Sequence, residues 1–197
     1  MAKVGITGGI GAGKSLVASM AEALGYPVYY ADSEAKRLMA DSPYIKEALV
    51  ALLGQNAYVG GTLNRRYIAK SIFGNGPLLQ KINALVHPAV KADFEAWAAQ
   101  HSNAPLLFLE SALIYEAQLQ TTLNAVICIT APLPIRVSRA MQRDLATENE
   151  VLKRIAAQQK EEEAAQKADF IICNDNQTAL IPQLETILEQ LKGIFAK

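Results

Sequence analysis

Apolar residues cluster in five short runs along the chain, at residues 3–7, 27–31, 105–109, 125–129 and 169–173. Runs of this length without polar alternation fit strands buried on both faces. Helix-spaced sequence follows each run, and strands alternating with helices predict a mainly parallel sheet covered on both sides. The fold class is therefore α/β, on a five-stranded sheet flanked by helices. The interval between the second and third runs is far longer than one crossover helix requires. It carries only helical patterns, over residues 44–53, 64–73, 77–86 and 88–100, with Gly60-Gly61 and Gly74-Asn75-Gly76 as turns. Pro88 fits the first residue of the last of these helices. The pattern predicts a single domain of 197 residues, in which a helical subdomain at 32–103 is inserted into a core formed by 1–31 and 104–197.

Between the first apolar run and the first helix lies Gly8-Gly9-Ile10-Gly11-Ala12-Gly13-Lys14-Ser15, a match to G-x-x-x-x-G-K-[ST]. At average residue frequencies such a match arises by chance in roughly 1% of chains this long. Strand, glycine-rich turn and helix start are the context the motif needs. Glycines let backbone N–H groups approach phosphate oxygens, and the helix N-terminus adds positive potential. The motif implies a P-loop NTPase fold with a nucleoside triphosphate held by Gly9, Ile10, Gly11, Ala12, Gly13, Lys14, Ser15 and Leu16. Lys14 would reach the β- and γ-phosphates and the Ser15 hydroxyl would hold Mg²⁺. The dinucleotide motif G-x-G-x-x-G is excluded, because Lys14 stands where its last glycine belongs.

Ligands of open parallel sheets bind beyond the carboxyl ends of the strands. The residues that follow the other four runs are Asp32, Glu110, Thr130 and Asn174. Asp32 suits a base that takes the proton of an attacking hydroxyl, and it also suits the cap of a helix beginning at Ser33. Glu110, after four apolar residues, forms a loose Walker B pattern and could hold Mg²⁺ through water. Glu116 lies six residues further and could be exposed. Arg136, Arg139 and Arg143 fall on one helix face at spacings of three and four, where like charges repel. A lid helix carrying cations to the migrating phosphoryl group, over 132–165, accounts for them better than stability does. His87 and His101 have no metal-site spacing, Trp97 reads as a packing residue of the subdomain, and Lys160-Glu161-Glu162-Glu163 reads as a solvated helix face.

Composition narrows the class without choosing it. Nineteen basic residues balance nineteen acidic ones, so net charge favours neither nucleic acid nor an anionic membrane. Cys128 and Cys173 each sit in an apolar run and read as buried small hydrophobes. The chain enters a strand directly after Met1, with no leader pattern and no membrane-length apolar stretch, which predicts a reducing, cytoplasmic location. No obligate protein partner is implied.

A GTPase would need N-K-x-D after a late strand, but Asn174-Asp175-Asn176-Gln177 has no lysine; a D-x-x-G switch is also missing at Glu110-Ser111-Ala112-Leu113. A compact core with a helical insertion after strand two and arginines after strand four is the layout of small-molecule kinases. Read end to end, the chain resembles the dephospho-CoA kinase family, which adds the 3′-phosphate in the last step of coenzyme A synthesis. The likeness runs through Thr7-Gly8-Gly9 and the rest of the P-loop, Ala31-Asp32, Gly61-Thr62-Leu63-Asn64-Arg65-Arg66 and Leu85-Val86-His87-Pro88. It continues in Leu113-Ile114-Tyr115-Glu116, Arg139-Ala140-Met141-Gln142-Arg143 and the stretch from Ala168-Asp169 to Asn174. The resemblance implies ATP as phosphate donor and dephospho-CoA as acceptor. It implies Asp32 as base with Lys14 and Arg139 as catalytic cations, and Arg143 and Asn174 beside ATP. It places Thr7, Asp32, Arg65, His87, Leu113, Tyr115 and Glu116 on the acceptor side. Four positions depart from the family pattern: Tyr30 for an aspartate, Lys36 for a histidine, Ala112 for a proline, and Asn176 near a glycine. Another P-loop kinase with a nucleotide or sugar-acid acceptor, or a non-catalytic nucleotide-dependent switch, stays open as an alternative.

Overall fold

The structure, a computed structural model, describes residues 1–158 and 161–195. Two compact units emerge from its contacts: Met1–Tyr30 together with Trp97–Lys197, and Ala31–Ala96.

The first unit is built on strands β1 (Ala2–Gly8), β2 (Val28–Tyr30), β5 (Leu106–Glu110), β6 (Ala125–Thr130) and β7 (Phe170–Cys173), in the order β2-β5-β1-β6-β7. Every pairing in this sheet is parallel. Continuous apolar runs become strands here because both faces are covered. Val4 and Ile6 of β1 point into a cluster with Val17, Ala18 and Ala21 of helix α1 (Lys14–Ala23) and with Leu184, Ile187, Leu188 and Leu191 of α9 (Leu180–Phe195). The small alanines bring α1 close to the sheet, and the α9 spacing of three, one and three is one helix stripe. Gly5 between them faces Ile114 and Leu123 on the opposite side. At the edge strand β7, the Gln183 side chain accepts from Cys173 N–H at 2.9 Å and donates to its carbonyl at 3.0 Å, standing in for a neighbouring strand. Three helices complete this unit: α6 (Leu133–Asp144), α7 (Glu148–Ala157) and α8 (Glu161–Lys167). Val137 and Ala140 of α6 pack with Val151 of α7, and a capping box of Thr147 and Glu150 starts α7.

The second unit holds α2 (Ala31–Asp41), α3 (Pro43–Leu53), α4 (Arg65–Ile72) and the start of α5 (Gly76–Gln100). Ser42 caps α3 and Asn64 caps α4 through their side chains. Its purely helical reading needs one correction. Strands β3 (Tyr58–Val59) and β4 (Thr62–Leu63) form an antiparallel hairpin. Gly60 and Gly61 turn it at φ 57° and 82°, the pair of positive angles that two-residue hairpin loops demand. The two helices expected at 77–86 and 88–100 are one helix of 25 residues with Pro88 inside it. Ile82, Val86, Val90, Phe94 and Ala98 are all buried. That stripe at intervals of four runs straight past the proline and outweighs its single lost hydrogen bond. The unit therefore ends at residue 96, inside α5, and not at the expected 103. Trp97 accordingly belongs to the first unit. Its ring stacks on His101 at 4.2 Å and meets Tyr29 edge-on at 5.5 Å.

Candidate active site

The P-loop joins the central strand to α1. Gly11 adopts φ 78°, and a Cβ there would overlap the Arg136 carbonyl. Ala12 N–H donates back to the Gly9 carbonyl at 3.1 Å, closing the turn. Leu16 and Val17 N–H both donate to Gly13, at 3.1 and 3.2 Å. Lys14 Nζ folds over the loop and donates to the Gly8 and Gly9 carbonyls at 3.1 and 3.2 Å. Ser15 Oγ donates to the Glu110 carboxylate at 3.2 Å. Glu110 ends β5 and is buried. A cavity of about 220 Å³ opens on this arrangement, lined by Gly11, Gly13, Lys14, Ser15 and Leu16 from the loop and by Arg139 and Arg143 from α6. One lysine, two guanidinium groups and a helix N-terminus face it, so its potential is positive and suits a phosphate chain.

The three arginines of α6 do different things. Arg136 is buried and pairs with Glu161 at 3.1 Å while its Nε donates to the Ile10 carbonyl at 3.0 Å. It does not line the cavity, whereas Arg139 and Arg143 do. Arg139 donates to the Gly11 and Ala12 carbonyls at 3.4 Å each, to the Asn174 carbonyl at 3.2 Å, to Asn174 Oδ1 at 3.0 Å, and to Asn176 Oδ1. Asn174, also buried, uses its amide nitrogen on the Ala12 carbonyl at 2.7 Å. Asn176 sits at φ 66°, a region glycine and asparagine enter most readily, which accounts for asparagine in a glycine-like place. Arg143 pairs with Asp144 at 2.8 Å, and Asp144 also receives Arg154 at 2.6 Å. Hydrogen bonds from Arg143 and Arg154 hold the Asp144 carboxyl well below the usual carboxylate range.

Beside the loop lies a tight cleft lined by Thr7, Gly8, Gly9, Ala112, Tyr115, Glu116, Gln158, Glu161 and Ala164. Thr7 is buried in β1, Glu116 is exposed at the rim and Leu113 is half-buried. The Tyr115 hydroxyl is buried with no hydrogen-bond partner, and burial pushes its pKa up to about 12. Lys167 Nζ lies 5.5 Å above the Tyr115 ring. Tyr30, in the place of a family aspartate, turns its hydroxyl to Glu22 at 2.7 Å.

Two loop-contacting residues escaped the sequence reading. Gln158 accepts from Ile10 N–H at 3.0 Å and donates to the Gly8 and Ala112 carbonyls at 3.4 and 3.1 Å. Glu161 accepts from Gly9 N–H at 3.0 Å and from Ala131 N–H at 3.3 Å. The charged patch expected to be solvated thus has one member, Glu161, whose side chain is almost wholly covered, while Lys160 lies outside the described residues.

In the second unit, Asp32 is exposed in the first turn of α2, which begins at Ala31. It is inside the helix, so it is not the cap of one starting at Ser33. Arg65 is the exposed first residue of α4, and His87 is half-buried in the middle of α5. Among the described residues, no group of three or more His, Cys, Asp or Glu side chains forms a metal cluster. No described helix is long and apolar enough to cross a membrane.

Comparison with known proteins bears on the whole chain. The family model described as dephospho-CoA kinase matches residues 2–179. Dephospho-CoA kinase of Porphyromonas gingivalis is 38% identical over 98% of this chain and 95% of its own length. That of Bacteroides fragilis is 36% identical over 99% of this chain and 94% of its own length. A crystal structure of a Thermus thermophilus protein superposes with a TM-score of 0.82 at 35% identity, covering 98% of this chain and 96% of the other. Shikimate kinase of Acinetobacter baumannii, at 17% identity and a TM-score of 0.58 over 100% of this chain and 96% of its own, shares the fold. With a P-loop at the head of a parallel sheet, a cation-lined cavity above it and relatives matched along nearly its entire length, the chain belongs to the dephospho-CoA kinase family.

Proposed function

We propose that the protein transfers the γ-phosphoryl group of ATP to the ribose 3′-hydroxyl of dephospho-CoA, releasing ADP and coenzyme A. The observation that carries this reading is the convergence of Lys14, Arg139 and Arg143 on the P-loop cavity in a chain of this family. In the transfer, the 3′-oxygen bonds to the γ-phosphorus as the bond to the ADP oxygen breaks, and the hydroxyl proton passes to Asp32. Lys14 and Arg143 stabilise charge on the migrating oxygens, and Arg139 holds the P-loop to the strand-end asparagine while adding its own charge. Thr7, Arg65, His87, Leu113, Tyr115 and Glu116 take the acceptor; the unpartnered Tyr115 hydroxyl supports a polar ligand there.

Ser15 and Glu110 offer a hydroxyl and a carboxylate, the hard oxygen donors that Mg²⁺ takes alongside water and phosphate. When bound, the ion supplies positive charge to the β- and γ-phosphate oxygens. Residues 132–165, apart from 159–160 which lie outside the described residues, serve as a lid that excludes water. The unpaired Cys128 and Cys173 suit a reducing cytoplasm.

The test is ADP release from Mg·ATP with and without dephospho-CoA, with AMP, adenosine, shikimate and gluconate as comparison acceptors. ADP formed only with dephospho-CoA, together with coenzyme A, is the expected result. Turnover with another acceptor in place of dephospho-CoA overturns the substrate assignment, and ATP binding without any transfer overturns the enzyme reading.

A further inference from the structure

The P-loop is supported unequally along its length. In its second half Gly11, Gly13, Lys14, Ser15 and Leu16 line the phosphate cavity. Its first half does not; Lys14 covers the Gly8 and Gly9 carbonyls, and side chains from outside the loop add a further set of hydrogen bonds there. Gly9 N–H goes to Glu161 at 3.0 Å, Ile10 N–H to Gln158 at 3.0 Å, the Ile10 carbonyl to Arg136 at 3.0 Å, and the Gly8 carbonyl to Gln158 at 3.4 Å. A side chain at Gly9 would collide with the Arg136 guanidinium and the Glu161 carboxylate, so the fit is close. The same two residues reach other strand ends: Gln158 the Ala112 carbonyl at 3.1 Å, Glu161 the Ala131 N–H at 3.3 Å. Arg136 and Glu161 are both buried where they pair.

We propose that Gln158 and Glu161 are positioning residues of phosphoryl transfer, fixing the peptide planes of Gly8, Gly9 and Ile10 so that the second half of the loop presents its N–H groups at the phosphate-binding angle. Neither side chain lines the phosphate cavity. Their effect passes through the loop backbone, where Gly8 and Gly9 carry no side chain and Ile10 packs against Val137, Ala140 and Val151. Gln158 follows α7 as its C-cap and Glu161 begins α8, so the ends of these two helices and the phosphate cradle share one set of hydrogen bonds. Nucleotide affinity and turnover therefore depend on two residues far along the chain.

The inference rests on the kinase reading for its turnover arm and on ATP binding alone for its other arm. Gln158→Leu removes the loop contacts without stranding a charge. It is expected to weaken binding of a non-hydrolysable ATP analogue and to lower kcat by about 10- to 100-fold, the scale of a small misplacement. Gln158 also lines the cleft of Thr7, Tyr115 and Glu116, so positioning on the donor side predicts a larger fold-change in kcat and in analogue affinity than in the KM for dephospho-CoA. Glu161→Gln keeps an acceptor for Gly9 N–H but leaves the buried Arg136 guanidinium without its carboxylate, so it should lose activity but less than Glu161→Leu; if either variant fails to fold, Gln158→Leu decides alone. Analogue affinity and kcat both unchanged in Gln158→Leu overturn the proposal. Tighter analogue binding in Glu161→Gln also overturns it, since the carboxylate would then be a plug and not a support. If wild type binds ATP without phosphorylating dephospho-CoA, the functional reading falls while the analogue titration still judges the positioning.

Discussion

Arg139→Ala tests the most heavily bonded side chain of the site. Its guanidinium reaches five oxygens on two segments, two at the 3.4 Å limit on the P-loop and three closer, on Asn174 and Asn176. Hydrogen bonds to charged groups contribute about 1.5–3 kcal/mol each when buried. Arg139 is half-buried, and the exposed Asn176 can turn to water, so about 1 kcal/mol for each of the three closer contacts is the defensible figure. The loss is then about 2–3 kcal/mol, which for a domain of this size lowers Tm by roughly 4–12 °C. Thermal unfolding followed by circular dichroism reads it directly. A cycle with Asn174→Ala should show a coupling of about 1 kcal/mol, as neighbours in one network do. In the kinase assay kcat should fall more than the KM for ATP rises, because the same group faces the phosphate cavity. A Tm within about 1 °C of wild type would refute the bonding pattern, and a change confined to KM would make Arg139 a binding residue only.

Asp32→Asn should keep ATP affinity and lower turnover by about 10²–10⁴, the range for a positioned base; near-normal turnover in steady-state assays reduces Asp32 to a first-turn helix acid. Gly11→Ala places a side chain at φ 78° against the Arg136 carbonyl. It should cost at least about 1–2 kcal/mol and weaken nucleotide binding, with unchanged melting and titration as the contrary result. Asp144→Asn removes a carboxylate held below its ordinary pKa by Arg143 and Arg154. Such a group stabilises the fold above its unfolded pKa of about 3.9 and loses that contribution as pH falls further. The Tm gap to wild type should therefore be open at pH 6 and narrow steadily in acid; a gap independent of pH counts against the ion pairs.

What could be read in advance was whatever a fixed local spacing encodes. The apolar runs gave all five parallel strands to within about a residue or two at each end, and the P-loop and Glu110 stood at set distances from strand ends. The hairpin at 58–63 escaped because two-residue strands are too short to show alternation, although its glycine pair marked the turn. Pro88 misled because local propensity favours a helix start there, while the buried stripe from Ile82 to Ala98 fixes one continuous helix. Arg136, Arg139 and Arg143 are alike by spacing, and only packing separates a buried ion pair from a cavity wall. Gln158 and Glu161 carry no motif at all. Their contacts with the loop join residues 148 and 152 positions apart in the chain, and no local pattern reports those.

Strand β1 lies between β5 and β6 and is hydrogen-bonded on both sides over most of its length, while β2 and β7 each have a single neighbour in the sheet. Amide protons of β1 should consequently be among the last to exchange with solvent, and those of β2 and β7 should exchange through smaller, more frequent openings. The phosphate loop thus hangs from the slowest-opening part of the molecule. An enzyme arranged this way can let its periphery fluctuate during each turnover without loosening the grip that the loop needs on a triphosphate.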